Sequence, residues 1–282
     1  MTFRAALIQM CSSDDPSANT DTLRKALQEA AQSGADLALT PEVTNCVSTS
    51  ARHQRRVLHP ETEDPTLRAA REEAQARKLW VLIGSLALLT EDTEGRLANR
   101  SFLIDPEGQI RARYDKVHMF DVQVSETETY RESAGFRPGD QAVLASPPFA
   151  TLGLSICYDL RFAYLYRALA QAGAEVLTVP SAFSPVTGAA HWEVLLRARA
   201  IETGCFVLAP AQSGYHSASE GRARRTYGHS MAVAPWGEVL LDMGTEPGVG
   251  LVEIDPAQVR DVRARVPALD HDRRVRAPEA TT

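Results

Sequence analysis

Short apolar runs alternate along the chain with longer stretches in which apolar residues recur every three or four positions. An apolar run bounded by turn residues predicts a buried strand, and the longer spacing predicts an amphipathic helix. Strands are predicted over residues 4–10, 35–42, 80–89, 150–157, 174–181 and 205–211, with a hairpin over 99–116 and further sheet over 229–243 and 248–255. Helices are predicted over residues 19–32, 65–78, 162–172 and 191–203, and a polar insertion over 123–141. This alternation is typical of an α/β fold.

Two segments of the first half recur in the same order in the second half. "GADLALTPE" (residues 34–42) aligns without gaps with "GAEVLTVPS" (173–181), and "SFLIDPEG" (101–108) aligns with "SMAVAPWG" (230–237). Short matches also arise by chance, but the shared order favours an internal repeat. We therefore predict a four-layer αββα sandwich of two pseudo-symmetric, helix-backed sheets packed face to face. We expect one domain over residues 1–282, whose charged tail, from about residue 261, runs over the surface or onto a partner subunit.

Composition and charge narrow the classes of partner. A hydrophobic content of 44% and a charged content of 23% are ordinary for a soluble globular protein. The net charge of −6 argues against a nucleic-acid partner, and the arginine-rich residues 222–225 are interpreted as a solvated loop. The first ten residues lack the apolar segment of a signal peptide. No uncharged apolar run reaches the ~18 residues that span a bilayer, so we expect no membrane partner.

The cysteines and histidines show no metal-binding pattern. Four cysteines are widely spaced without a CxxC pair, which predicts neither a disulfide framework nor a zinc site. They are Cys11, Cys46, Cys157 and Cys205. The histidines likewise lack an HExxH motif or close ligand spacing. We therefore expect a cytoplasmic protein with reduced thiols and no metal or other cofactor.

Three polar residues each stand at the exit of a predicted strand: Glu42, Lys116 and Cys157. Loops at the carboxyl ends of strands converge while the sheet holds them rigid, so these side chains can meet at one point. A thiol with pKa ~8.5 needs a neighbouring base or cation to attack. Glu42 can take its proton, and Lys116 and the N–H of Tyr158 can stabilise an oxyanion. Singly, each residue would be explained as a cap, a surface residue or a core residue.

The segments around these residues, "LTPE", "YDKVHMFDV" and "GLSICYDLRF", resemble the three active-site signatures of the nitrilase (carbon–nitrogen hydrolase) superfamily. The resemblance runs from about residue 3 to residue 271. It implies the αββα sandwich and a thiol amidase without cofactor. The implied catalytic triad is Glu42, Lys116 and Cys157, with a second glutamate at Glu132. Glu126 and Glu128 are close alternatives for that second glutamate.

Other segments, including "AFSPVTGAAHWEVLLRARAIE" and "YGHSM", resemble the Nit branch of this superfamily. That resemblance implies a small-molecule amide substrate: deaminated glutathione, or alternatively 2-oxoglutaramate. Nitrile hydrolysis and N-carbamoyl cleavage remain alternatives. Arg161 is expected to bind the substrate's carboxylate through two parallel hydrogen bonds, and, together with a helix beginning near residue 162, to add positive potential beside the sulfur. Further substrate contacts are expected at Ser181, Phe183 and Thr187.

Two rival hypotheses remain open. Cys157 could pair with His118 or His191 as a Cys–His dyad, which leaves Lys116 without a role. The chain could also be a non-enzymatic interaction protein on a hydrolase scaffold. In either case we expect a homodimer or larger homo-oligomer, by resemblance and because the charged tail has no sheet of its own to join.

Overall fold

The computed structural model describes residues 2–124 and 129–276. The helices are α1 (Pro16–Gln32), α2 (Ala51–Val57), α3 (Pro65–Arg77), α4 (Ala163–Gln171), α5 (Pro185–Thr203) and α6 (Ala257–Arg265). The strands are β1 (Phe3–Gln9), β2 (Leu37–Leu39), β3 (Trp80–Leu88), β4 (Ala98–Ile104), β5 (Ile110–Asp115), β6 (Asp121–Gln123), β7 (Thr129–Arg131), β8 (Val143–Ala145), β9 (Leu152–Leu154), β10 (Val176–Thr178), β11 (Phe206–Ala209), β12 (Ser213–His216), β13 (Arg224–Tyr227), β14 (Met231–Val233), β15 (Val239–Asp242) and β16 (Gly248–Ile254). Short 3₁₀ turns cover Glu132–Ala134, Cys157–Arg161 and Ala268–Asp270.

The two large sheets repeat one topology, which confirms the predicted pseudo-symmetry. Their strand orders are β16-β1-β2-β3-β4-β5 and β15-β14-β11-β10-β9-β8. In each sheet three parallel strands are followed by two antiparallel ones. The aligned segments occupy equivalent places, because "GADLALTPE" contains β2 and "GAEVLTVPS" contains β10. In the second pair, "SFLIDPEG" covers the end of β4 and "SMAVAPWG" contains β14.

The sheets pack face to face with helices outside, which confirms the four-layer sandwich. One hydrophobic core joins the inner faces of both sheets, including Leu7, Leu39, Leu82, Leu154, Leu177 and Leu208. A second core lies between the first sheet and α1 and α3, where Leu23, Leu27 and Leu67 are buried. On the other side, Leu165 of α4 and Trp192 of α5 belong to the first core. No helix within the described residues is both long and apolar enough to cross a membrane.

Two helices begin earlier than their apolar spacing predicts. α1 begins at Pro16, after Asp15 accepts the N–H of Ser17. α5 begins at Pro185 instead of residue 191, and the Ser184 side chain accepts the N–H of Thr187. An aspartate or serine N-cap followed by proline is a common start of a helix. The spacing of apolar residues does not show it, because neither residue is part of the apolar face. The longer α5 brings its first turn to the cavity described below.

One other prediction needs correction in part. Residues 222–223 are a loop, with Arg222 exposed, but Arg224 and Arg225 belong to β13, which pairs with β12. The charged tail from residue 261 lies on the surface of its own chain, since 261–265 complete α6 and Arg263 donates to the carbonyls of Thr203 and Ala174. Further on, Arg167 of α4 pairs with Asp272. The tail therefore packs on its own chain as far as that ion pair.

Candidate active site

The three predicted strand exits open into one cavity of about 640 Å³. Glu42 lies three residues beyond β2 and Lys116 directly follows β5, both in the first sheet, while Cys157 lies three residues beyond β9 in the second. All three side chains line the cavity. The site therefore forms where the two halves of the molecule meet.

Lys116 lies between two carboxylates at the base of the cavity. Its Nζ is 2.8 Å from Glu42 Oε1 and 2.9 Å from each carboxylate oxygen of Glu132. Glu132 begins a 3₁₀ turn, and its Oε2 also accepts the N–H of Phe120 at 2.6 Å. The structure thus places Glu132 beside the triad, while Glu126 and Glu128 lie outside the described residues.

Asn99 is a site residue that the sequence reasoning missed. Its Nδ2 donates to Glu42 Oε1 at 3.0 Å and to Glu132 Oε1 at 3.4 Å. Its carbonyl accepts the N–H of Lys116 at 3.0 Å, so the pairing of β4 and β5 brings it to the cavity. The available signal was a lone asparagine at the start of the predicted hairpin, inside a strand where asparagine is uncommon.

Cys157 sits on a strained turn between β9 and α4. Its φ of 49° is in the left-handed region, which is uncommon for a residue with a side chain and is typical of functional sites. The N–H donates to the carbonyl of Pro180 at 2.9 Å, which fixes the turn. The side chain is nearly buried but lines the cavity, so the turn presents the thiol to a ligand there.

The charges around the thiol keep it neutral at rest. Burial and the negative charge of Glu42 raise the pKa of Cys157, against the opposing charge of Lys116. Burial also disfavours ionised Glu42, but Lys116, Arg224 and a hydrogen bond from Cys157 together hold the pKa of Glu42 below its usual value. Despite burial, Glu132 and Glu42 raise the pKa of Lys116. These shifts favour a protonated thiol beside an ionised Glu42 and a charged Lys116.

The other predicted site residues divide between the cavity wall and its surroundings. Tyr158, Phe183 and Thr187 line the cavity. Arg161 does not line the cavity, and its guanidinium carbon is 5.9 Å and 5.8 Å from the ring centres of Tyr158 and Phe183. It belongs to the 3₁₀ turn that precedes α4, not to the start of that helix. Ser181 is also outside the lining, because its buried hydroxyl donates to the carbonyl of Val179 at 3.0 Å. The structure thus gives Ser181 a role in the chain turn after β10.

The cavity carries arginines that the sequence reasoning did not assign to it. Arg131, Arg222 and Arg224 all line it. Arg224 Nη2 donates to the carbonyl of Ala182 at 2.5 Å, and its guanidinium carbon is 5.7 Å from the ring centre of Tyr130. The sequence feature that could have indicated these residues is the arginine cluster after β12, but a solvated loop explains the same cluster.

Histidines make their contacts elsewhere. His118 Nδ1 is 2.6 Å from Asp159 Oδ1, and His191 Nδ1 is 3.3 Å from the Arg161 guanidinium. Neither lines the cavity. The structure therefore contradicts a Cys–His dyad. In the described part of the chain, no group of three or more histidine, cysteine, aspartate or glutamate side chains is arranged to hold a metal ion.

Comparison with known proteins agrees with this fold and site. A family profile described as carbon-nitrogen hydrolase matches residues 4–264. A Yersinia enterocolitica protein named deaminated glutathione amidase is 38% identical over 269 residues, which cover 95% of this chain and 92% of that protein. The chain belongs to the carbon–nitrogen hydrolase family.

Solved structures show the same fold. The crystal structure of the C. elegans NitFhit protein matches with a TM-score of 0.89 and 33% identity, covering 96% of this chain and 65% of that one. A mutant amidase from Nesterenkonia sp. AN1, with acrylamide added at its active-site cysteine, matches with a TM-score of 0.75 and 27% identity, covering 94% of this chain and 98% of that one. The present chain is an enzyme that hydrolyses carbon–nitrogen bonds, an amidase of the nitrilase superfamily.

Proposed function

We propose that this amidase cleaves a linear amide through a thioester on Cys157, and that its substrate is deaminated glutathione, which yields 2-oxoglutarate and Cys-Gly. The observation that carries the proposal is that Glu42, bound to Lys116, lines one cavity with Cys157 and is close enough to raise the pKa of that thiol. Relatives that carry the name deaminated glutathione amidase support the choice of substrate.

In the acylation step, the Cys157 sulfur attacks the amide carbon while Glu42 takes the thiol proton. The carbonyl oxygen becomes an oxyanion, which the Lys116 ammonium and the N–H of Tyr158 stabilise. When the tetrahedral intermediate collapses, the carbon–nitrogen bond breaks and Glu42 gives its proton to the leaving amine. The acyl group stays on Cys157 as a thioester.

In the deacylation step, Glu42 takes a proton from a water molecule as its oxygen attacks the thioester carbon. The same oxyanion contacts serve the second tetrahedral intermediate. Its collapse breaks the carbon–sulfur bond, releases the carboxylic acid and returns the proton to Cys157. Glu132 and Asn99 act as positioning residues, because each contacts the Glu42–Lys116 pair without reaching the thiol in the described contacts.

The charges of the cavity support a substrate with two carboxylates. The described lining residues include four cations and two carboxylates, so their formal net charge is +2. The cations are Lys116, Arg131, Arg222 and Arg224, and the carboxylates are Glu42 and Glu132, which both bind Lys116. Deaminated glutathione carries one carboxylate on its acyl portion and one on its amine portion, whereas 2-oxoglutaramate carries one. Arg161, whose guanidinium carbon is 5.9 Å and 5.8 Å from the ring centres of the lining residues Tyr158 and Phe183, is the proposed partner of the acyl carboxylate.

Acyl trapping tests this function directly. The enzyme is mixed with deaminated glutathione or 2-oxoglutaramate, quenched in acid, and measured as intact protein and as peptides. We expect the same 2-oxoglutaryl adduct on Cys157 from both substrates, with the higher kcat/KM for deaminated glutathione. Cys157→Ala is the control, and it should fold, carry no adduct and show no turnover. Preferred turnover of a nitrile or an N-carbamoyl compound would contradict the proposed substrate.

We also propose that residues 1–282 form one carbon–nitrogen hydrolase domain that assembles at least as a homodimer in the cytoplasm. Four free cysteines support a reducing compartment. Support for the dimer comes from α5, whose outer face exposes Val186, Val194 and Ile201, with Tyr164 of α4 also exposed. Light scattering should give at least twice the chain mass, and Val194→Glu should lower it. A monomeric mass at micromolar concentration would contradict the dimer.

A further inference from the structure

We infer that Arg224 forms a carboxylate subsite for the amine portion of the substrate, the part that leaves first. The inference deepens the proposed function and rests on it. It concerns a residue outside the triad and the three signature segments. The proposed Arg224 subsite selects amide substrates in which the leaving amine carries a carboxylate.

The first observation is the incomplete bonding of the Arg224 guanidinium. Nη2 donates to the carbonyl of Ala182, but Nε is buried and has no hydrogen-bond partner among the described residues. A buried N–H without an acceptor is costly, and a charged one more so. Because Arg224 lines the cavity, a small shift of its side chain would bring Nε to an acceptor on a ligand there. A carboxylate fits best, since its two oxygens match two N–H groups of a guanidinium.

The second observation places Arg224 on the leaving-group side of the thiol. Its positive charge is one of the causes that lower the pKa of Glu42, so the guanidinium lies within electrostatic reach of that carboxylate. In the proposed mechanism Glu42 protonates the departing amine, so the amine portion lies beside Glu42. The proposed function already assigns the acyl carboxylate to Arg161, beside the Tyr158 and Phe183 rings.

The third observation is that, among the described lining residues, both carboxylates are bound to another cation and leave Arg224 free of them. Glu42 and Glu132 both bind Lys116. The loop before Arg224 is also held in place, because Thr49 Oγ1 accepts the N–H of Arg222 at 3.0 Å and donates to its carbonyl at 2.8 Å. A guanidinium ordered before the ligand arrives loses less entropy on binding.

The test compares three substrates: deaminated glutathione, its analogue with a carboxamide in place of the glycine carboxylate, and 2-oxoglutaramate. Wild-type enzyme should prefer the acid over the carboxamide by about tenfold or more in kcat/KM, the factor expected for a charge-assisted hydrogen bond. Arg224→Gln should reduce that preference to about twofold or less, and Arg224→Lys should leave an intermediate value because it keeps charge without the fork. Arg225→Gln is the matched control, an exposed neighbour on β13 that should keep the wild-type preference.

The outcomes separate the inference from the function on which it rests. If Arg224→Gln lowers kcat/KM for all three substrates by one factor, Arg224 acts through Glu42 and the inference fails. If wild-type enzyme cleaves the acid and the carboxamide equally well, the inference fails while the proposed function stands. If wild-type enzyme does not cleave deaminated glutathione, the proposed function itself fails. Should Arg224→Gln not fold, Arg224→Lys decides, and unchanged preference in that variant would overturn the subsite.

Discussion

The raised pKa of Cys157 favours the neutral thiol, so each catalytic cycle depends on a proton acceptor beside it. Glu42 lines the same cavity, and Lys116 favours its ionised form despite its burial. The same arrangement limits premature reaction, because a thiol is a far weaker nucleophile than a thiolate. Cys157 therefore differs from cysteines that are activated in advance by a lowered pKa.

Replacement of Glu42 by glutamine should separate turnover from thiol ionisation. Turnover should be lost, because glutamine can neither take nor return the proton. The pKa of Cys157 should fall, because the negative charge and the hydrogen bond of Glu42 both raise it while Lys116 remains. Iodoacetamide alkylation measured against pH should therefore show its midpoint at lower pH than in the wild type.

The control for this measurement is the Glu42→Gln, Cys157→Ser double variant, which reports labelling of the remaining thiols. Cys46 also lines the cavity, and burial raises its pKa to about 12. An unchanged or higher alkylation midpoint in Glu42→Gln would contradict the role of Glu42 as the charge that keeps the thiol protonated.

Asn99→Asp should move the acid limb of the pH–rate profile. The aspartate would place a third carboxylate against Glu42 and Glu132, where the asparagine amide now donates to both. Like charges favour protonation, so the pKa of Glu42 should rise and activity should be lost at higher pH than in the wild type. Loss of a hydrogen bond to a charged group should also lower kcat/KM by about tenfold. Asn99→Leu is the uncharged control, and an acid limb that moves equally in both variants would contradict the charge argument.

At the residue scale, the sequence predicts that Glu42, Lys116 and Cys157 meet, because each follows an apolar run and so stands at the end of a predicted strand. Glu132 came from the family resemblance alone, because the polar insertion has no pattern that places it. Asn99 and Arg224 could not be predicted, because their positions depend on which strands pair. Asn99 reaches Lys116 through the register of β4 and β5, and Arg224 reaches the cavity through the β12–β13 hairpin.

At the element scale, the loop between β12 and β13 is anchored to α2. Glu220 Oε1 is 2.7 Å from Arg56, and its Oε2 is 2.9 Å from Arg52. The N–H of Ser219 donates to Asp14 Oδ2 at 2.6 Å. These contacts hold the loop that leads to Arg224. They therefore affect substrate binding indirectly, by fixing the position of β13 and of Arg224 on it.

Glu220→Gln should therefore weaken substrate binding more than it slows the chemistry. We expect the KM for deaminated glutathione to rise roughly two- to fivefold, in line with an exposed ion-pair network, with little change in kcat. High salt should shrink the difference between variant and wild type, because it screens the same pairs. Glu253→Gln on the exposed side of β16 is the control. A fall in kcat at constant KM would contradict this role.

The predicted strands are longer than the observed ones for a physical reason. The prediction runs β2 to residue 42 and β10 to residue 181, but both strands end before a proline, Pro41 in one and Pro180 in the other. Proline lacks the N–H that a central strand needs, so each apolar run continues as a loop. Those loops are what carry Glu42 and the carbonyl that fixes Cys157.

At the scale of the whole molecule, each pseudo-symmetric half holds part of the reaction. The first sheet supplies Glu42 and Lys116, and the second supplies Cys157. Neither half alone contains a nucleophile with its base. Catalysis therefore requires a constant distance between the two sheets, so that Cys157 stays within hydrogen-bond reach of Glu42. The close-packed core between the sheets fixes that distance.

Gly84 of the first half lies against Pro180 of the second, so it offers a test of that spacing. A Cβ at this position would stand 2.0 Å from the carbonyl oxygen of Thr40 and 2.4 Å from Cβ of Pro180. Both neighbours belong to the strand exits that hold Glu42 and Cys157, and a backbone atom cannot move aside as a flexible side chain can. Overpacking of a core costs about 1–3 kcal/mol or more, so Gly84→Ala should lower the free energy of unfolding by at least that amount.

The stronger effect of Gly84→Ala should be on turnover, because separating the two strand exits stretches the contact between the thiol and its base. We expect kcat to fall by about a hundredfold for a displacement near 1 Å, even under conditions where the variant is folded. Gly248→Ala on β16 is the matched control, since a Cβ there meets no atom within 4 Å. Circular dichroism establishes folding, and stopped-flow acylation of Cys157 reports the chemical step. A folded Gly84→Ala variant with wild-type acylation would show that the site belongs to one half of the molecule and does not depend on how closely the sheets pack.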